Sequence, residues 1–235
     1  MAQKKLFRFG QIKTFANVQE YPQDMQGGWK HFFKNENPLI LELACGRGEY
    51  TIGLAALHAN KNFIGVDVKG NRMYIGAKKA LETGLTNAAF LRTQIEMIAG
   101  YFAPNEVDEI WITFPDPQLR TSKSKKRLTH PRFLREYNRF LKPGAPIHLK
   151  TDSPDLFAFT KNVIARYGLA LHEACDDVYA KSSMPELQIK TYYEGLNIAQ
   201  SNKIFYLRFS LPASIPNLDD ELQEYLKQTE NQAAV

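Results

Sequence analysis

The chain has 235 residues, 44% apolar and 23% charged, with 30 Lys+Arg against 25 Asp+Glu for a net charge of +5. Its 26.9 kDa lets folding bury about 72% of the extended chain's surface, which suits one substantial core with an appendage better than two equal domains. This composition excludes collagen-like, fibrous and largely disordered chains, and no run approaches the roughly 18 apolar residues of a membrane span. Cys45 and Cys175 can build neither a disulfide framework nor a four-thiolate zinc site, so free thiols in a reducing cytoplasm are expected, with no metal.

Residues 1–15 lack acids and carry Lys4, Lys5, Arg8 and Lys13 without the apolar segment of a secretory signal, so they read as a basic flexible arm. With the aperiodic stretch that follows, they form a lead-in over 1–33. Pro38 then introduces Leu-Ile-Leu-Glu-Leu at 39–43, a short run of buried-strand type. A glycine turn at 44–48 and a helical pattern over 50–58 come next. Residues 62–68 read as a strand, 72–82 as a helix ended near Gly84, and 89–91 and 107–114 as two more strands. Thr129 is a plausible N-cap for a helix running to Leu141, with Phe133, Leu134, Tyr137, Phe140 and Leu141 on one face. Residues 147–151 form a fifth strand, Ser153-Pro154 cap a helix towards Tyr167, and 169–178 and 203–210 hold the last two strands.

This alternation predicts an α/β fold over 34–211, a doubly wound, mostly parallel, seven-stranded sheet covered on both faces. Beyond Pro212, Leu218, Leu222, Tyr225 and Leu226 share one helical face, so 212–235 reads as an added C-terminal helix. That helix either packs on the body or serves a dimer contact, which leaves monomer and homodimer both open.

The positive charge is concentrated. Between Gln118 and Lys142, nine cations face only Glu136, a local +8 that leaves −3 on the rest of the chain. Such asymmetry points to a polyanion contact, against the alternative of a solvated charge run. On the 129–141 helix, Arg132, Arg135 and Arg139 fall within about 60° of each other, opposite the apolar face, a stripe suited to a phosphate backbone.

In open α/β sheets, ligands bind beyond the carboxyl ends of the strands. There the first strand ends Glu42-Leu43-Ala44-Cys45-Gly46-Arg47-Gly48. Gly46 and Gly48 let the backbone approach a ligand closely, but Thr51 stands where a dinucleotide fingerprint wants glycine or alanine. Glu42 repels a pyrophosphate and suits an ammonium group. Asp67, ending the second strand, lies about where a carboxylate grips ribose hydroxyls. An amino acid joined to a ribose describes S-adenosylmethionine. After the fourth strand, Phe114-Pro115-Asp116-Pro117 hold one carboxylate between two prolines, next to the basic loop, as a base-handling site would require.

With these motifs the chain resembles the tRNA (guanine-N7-)-methyltransferase family over roughly 38–207. The resemblance is carried by the 42–48 turn, Ile64-Gly65-Val66-Asp67, and Asp116-Pro117 followed by Lys125-Lys126-Arg127-Leu128-Thr129-His130-Pro131. Leu141-Lys142-Pro143-Gly144, Lys150-Thr151-Asp152 and Thr191-Tyr192-Tyr193-Glu194 complete it. It implies a class I, Rossmann-like methyltransferase fold, S-adenosylmethionine as cofactor, and a guanine in the tRNA variable loop as target.

Carried over by motif, Glu42, Gly46, Gly48, Asp67, Gln94 and Asp116 would line the cofactor site, with Asp116 also catalytic. Arg120, Asp152, Thr191, Tyr192, Tyr193 and Glu194 would contact tRNA. The chain departs from the family pattern at Gln94 and Arg120, where Asp and Lys are usual, and at Gln118-Leu119, where Trp-Pro is usual. Guanine nitrogen 7 carries no proton, so Asp116 is expected to orient the base rather than deprotonate it. The alternatives are a non-catalytic RNA-binding subunit with a vestigial methyltransferase fold, or a methyltransferase with another substrate.

Overall fold

The computed structural model describes residues 2–196 and 201–233, and the side chains of 2–5, 231 and 233 are not part of that description. Largely apolar runs become buried strands: β2 (Leu39–Leu43), β3 (Asn62–Asp67) and β5 (Glu109–Thr113) lie at the centre of one sheet. With β1 (Val18–Glu20), β4 (Ala88–Arg92), β6 (Pro146–Thr151), β7 (Ala170–Cys175) and β8 (Phe205–Ser210), the order is β1-β4-β3-β2-β5-β6-β8-β7. All pairings are parallel except those of β8 with β6 and β7.

The doubly wound sheet therefore has eight strands, not seven. The added β1 pairs only with β4, and Arg92 closes that edge with a 2.7 Å ion pair to Glu20. Three residues are too few to show a period of two, which is why the lead-in looked patternless.

Side-chain alternation sorts the core into two layers. Leu39, Leu41 and Leu43 face one side with Ile64, Ile112 and Leu149, under Tyr137 and Phe140. Ile40, Phe63, Phe90 and Trp111 face the other, with Tyr50 of α3 (Glu49–Leu57) and Met73 of α4 (Gly70–Glu82). Glu42 shares the parity of Ile40 and so points beneath α3.

The arm is a helix, α1 (Ala2–Ile12), rather than a flexible tail. Ile12 is fully buried, Phe15 stacks on Tyr74 at 5.3 Å, and Asn17 Nδ2 donates to the Ala77 carbonyl at 3.0 Å. These contacts anchor the lead-in to α4, 60 residues further on.

The short α2 (Trp29–Phe33) inserts Trp29 against Phe102. The basic helix, α5 (Pro131–Tyr137), is shorter than its sequence pattern, and His130 rather than Thr129 caps it. His130 Nδ1 accepts from the Arg132 amide at 3.2 Å, while Thr129 turns inward to Thr160 at 2.8 Å. Turns continue the apolar face through Phe140 and Leu141, both buried as expected.

Ser153 caps α6 (Pro154–Arg166) as the Ser-Pro pair predicts, and α7 (Val178–Lys181) leads into the 182–196 segment. The C-terminal α8 (Asp219–Ala233) packs on the body through Leu222, Leu218 and Leu226, and Arg166 lies over the Tyr225 ring at 4.0 Å. Its first residue takes Arg135, whose Nη2 is 2.5 Å from Asp219 while Nη1 donates to the Pro216 carbonyl. The expected stripe of three solvent-facing arginines thus loses its middle member, because the turn at Pro216 and the first residue of α8 lie against it.

Candidate active site

The carboxyl ends of β2, β3, β5 and β6 open into a cavity of about 620 Å³. Its floor is Glu42, Ala44, Cys45, Gly46, Asp67 and Thr113; Phe114–Pro117 and Leu119 form one wall, and Asp152–Asp155, Thr191 and Tyr193 another. That volume suits a cofactor-sized ligand.

Glu42 is 3% exposed and held by three hydrogen bonds. Its Oε2 accepts from the Thr51 amide at 2.8 Å and the Thr51 hydroxyl at 2.5 Å, and its Oε1 from the Thr113 hydroxyl at 2.6 Å. Burial pushes its carboxyl up to about 7 against the opposing pull of these bonds. The register that sets Glu42 beside Trp111 brings Thr113 to the same face two residues later. Thr51 and Thr113 were missed from sequence. Thr51 had a signal, since it breaks the glycine fingerprint one helical turn after Gly48; Thr113 had none without the register.

Asp67 ties the glycine turn to its own loop. Oδ2 accepts from the Gly46 amide at 2.9 Å and Oδ1 from the Lys69 amide at 2.7 Å. Both glycines of the turn have left-handed φ, 57° at Gly46 and 73° at Gly48. Their roles differ. A Cβ on Gly46 would meet the Tyr193 ring at 3.2 Å, beside the cavity. A Cβ on Gly48 would strike Phe90 at 2.5 Å and approach Gly76 of α4 at 3.4 Å. Gly48 lies outside the cavity lining, and the space its missing Cβ leaves is filled by Phe90 and Gly76, where α3 packs against β4 and α4.

Asp116 lines the opposite wall, exposed, with Oδ1 accepting from the Gln118 amide at 3.0 Å. Phe114 and Gln118, two residues to either side, both take left-handed backbone with φ of 46° and 47°. Each such non-glycine position costs about 1–2 kcal/mol, strain that surrounding contacts must hold in place.

Of the expected substrate residues, Asp152, Thr191 and Tyr193 line the cavity. Tyr192 is exposed beside it, with Arg47 stacked over its ring at 4.0 Å, and Arg72 lies 5.3 Å from the Tyr193 ring. Glu194 points away, to the hydroxyl of the exposed Tyr179 and to the buried Lys150. Lys150 is fully buried and donates to the Leu187 and Ile189 carbonyls, both at 2.8 Å. Burial lowers its ammonium to about 8, while Glu194 opposes that shift. A lysine inside an otherwise buried strand was the available sequence signal for this anchor. Gln94 and Arg120 are exposed and lie outside the cavity lining.

Comparison with known proteins agrees with this geometry. Residues 36–207 match the family model described as "Putative methyltransferase". The tRNA (guanine-N(7)-)-methyltransferase of Porphyromonas gingivalis is 47% identical, covering 85% of this chain and 86% of its own. That of Bacteroides fragilis is 44% identical over 96% of this chain and 94% of its own. Among solved structures, the 16S rRNA methyltransferase KamB superposes with a TM-score of 0.61 at 15% identity, covering 79% of this chain and 94% of its own. A 16S rRNA adenine methyltransferase variant from Catenulisporales acidiphilia, solved with cosubstrate SAM, gives 0.52 at 16% identity, covering 81% and 93%. These likenesses concern the fold, an α/β methyltransferase sheet. The sequence relatives go further: the chain belongs to the tRNA (guanine-N7-)-methyltransferase family.

Proposed function

We propose that the protein transfers a methyl group from S-adenosylmethionine to nitrogen 7 of a guanine in the variable loop of tRNA, in the cytoplasm. The observation that carries this reading is the set of hydrogen-bond acceptors around the cavity. Two buried carboxylates, Glu42 and Asp67, end adjacent strands around a glycine cradle, and Asp116 faces them beside an exposed basic loop. This set fits the cofactor, whose sulfonium supplies an electrophilic methyl when bound. Glu42 would take the ammonium, which favours its charged form, and Asp67 has acceptor capacity left for ribose hydroxyls.

The nucleophile is the lone pair of nitrogen 7, which carries no proton, so the protein's part is alignment and exclusion of water. Asp116 presents two acceptor oxygens to the N–H edge of the guanine and orients the ring. Leu119 and Pro117 cover the mouth beside it. Lys123, Lys125, Lys126 and Arg132 are exposed and have no ion pair among the described residues, so they are free for phosphates, while the cavity selects the base. The test is incubation of a tRNA pool with the purified chain and S-adenosylmethionine. Mass spectrometry of the digested nucleosides should find 7-methylguanosine from the variable loop. Tight tRNA binding without it would leave a non-catalytic RNA-binding module.

A further inference from the structure

The nine cations between Gln118 and Lys142 are not equivalent. Arg127 is 5% exposed and faces the protein. Its Nε donates to the carbonyls of Pro117 at 3.1 Å and Gln118 at 3.3 Å. Its Nη2 donates to Gln118 at 3.1 Å and Leu119 at 3.3 Å. The flat guanidinium also lies over the Phe159 ring at 4.4 Å. One side chain therefore gathers three consecutive carbonyls of the loop that follows Asp116.

That loop needs such a clamp. Gln118 sits at a left-handed φ of 47°, and its amide is the group that holds Asp116 Oδ1. Three carbonyls turned to one side are otherwise costly, because they crowd like dipoles and leave acceptors short of partners. A guanidinium offers five donors in a rigid fork, so it can serve adjacent carbonyls at once, whereas an ammonium is a point donor on a flexible stem. Burial pulls the Arg127 guanidinium down from its ordinary value, and nearby Asp155 opposes this.

We infer that Arg127 is a positioning residue for Asp116: it clamps the 117–119 carbonyls, fixes the backbone that presents the carboxylate, and contacts no RNA phosphate. This rests on the methyltransferase reading for its consequence in rate, but not for the clamp itself. In this chain Gln118-Leu119 leave the loop without a second rigid pair after Asp116-Pro117, and Arg127 supplies the constraint from outside.

The experiment uses the full chain with Arg127→Lys and Arg127→Gln, each studied well below its melting temperature. Hydrogen exchange of the 116–120 segment should quicken at least tenfold in both variants. Single-turnover methyl transfer at saturating S-adenosylmethionine and tRNA should fall at least tenfold. The tRNA affinity should stay within twofold, and its salt dependence should keep the wild-type slope. Should Arg127→Gln fail to fold, Arg127→Lys carries the same readouts. Unchanged exchange would overturn the clamp. A saturating rate within twofold of wild type would make Arg127 merely structural, and a log–log salt slope reduced by roughly 0.7 to 0.9 would make it a phosphate ligand. If the wild type itself transfers no methyl group to tRNA, the functional reading fails, and the exchange measurement still decides the clamp.

Discussion

Thr51 donates both its amide and its hydroxyl to one oxygen of Glu42, nine residues earlier in the chain. The residue that breaks the dinucleotide fingerprint is thus the one that holds the buried carboxylate. A carboxyl near 7 is part protonated at neutral pH, and a cationic ligand favours the charged form. Affinity for S-adenosylmethionine should therefore rise as pH increases towards about 7. Calorimetry across pH 5.5–8.5, a window of about 1.5 units either side, checks this, and Glu42→Gln should lower affinity and remove the pH dependence. Thr51→Val removes only the hydroxyl, so it should move the midpoint upward and weaken binding by about 1–2 kcal/mol.

The same group contributes to stability with a definite sign. Its folded value is raised above the ordinary 4.5, so the folded state binds more protons between 4.5 and about 7. Without ligand, Glu42 should destabilise the fold progressively as pH rises through that window. Glu42→Gln should flatten this part of a denaturation-midpoint profile, and an unchanged profile would show that burial is not the cause.

Gly46 and Gly48 should separate binding from folding. Gly48→Val forces a side chain onto Phe90 and Gly76, and overpacking of this kind costs about 1–3 kcal/mol before the strain of a positive φ is added. The melting temperature should fall strongly. Gly46→Ala meets only the edge of the Tyr193 ring beside the cavity, so it should cost less stability and more S-adenosylmethionine affinity. Thermal melts paired with calorimetry measure both. A Gly48→Val protein that melts like wild type would refute the packing role.

The basic surface should divide likewise. Changing Lys123, Lys125 and Lys126 together to Gln should weaken tRNA binding across sequences and reduce the log–log salt slope by roughly 0.7 to 0.9 per lost phosphate contact. Arg135→Gln breaks the pair with Asp219, which is partly exposed and contributes no more than about 1 kcal/mol. It should loosen α8 and leave the salt slope unchanged. Filter binding over a salt series distinguishes the two, and a slope altered by Arg135→Gln would return that arginine to the RNA surface.

Asp116→Asn keeps size and shape but replaces one acceptor with a donor, which would face an N–H of the guanine. Once the guanine covers the side chain, such a mismatch costs on the order of 1–3 kcal/mol, so single-turnover methyl transfer should fall at least about tenfold. Bulk tRNA affinity should barely move. Activity within twofold of wild type would make the carboxylate structural.

The residues that local patterning determines are those whose surroundings repeat along the chain. Runs such as Leu39–Leu43 and the spacing of Phe133, Leu134, Tyr137 and Leu141 announce burial because a strand or helix face recurs every few residues. The placement of Glu42, Asp67 and Asp116 around one cavity follows from the same logic, since each ends a strand or follows one directly. The β1 strand escaped because three residues carry no period, and the arm because its helix gains stability from α4 rather than from its own composition. Only the tertiary structure decided what each charge meets. Arg135 finds Asp219 at a separation of 84 residues, Glu194 turns to Lys150 across 44, and Arg127 folds back onto carbonyls eight to ten residues before it. A charge count treats these cations alike, but a buried cation must find acceptors within the protein and an exposed one need not. That distinction depends on which chain segment lies opposite, and the packing of α5, α8 and the Asp116 loop sets it.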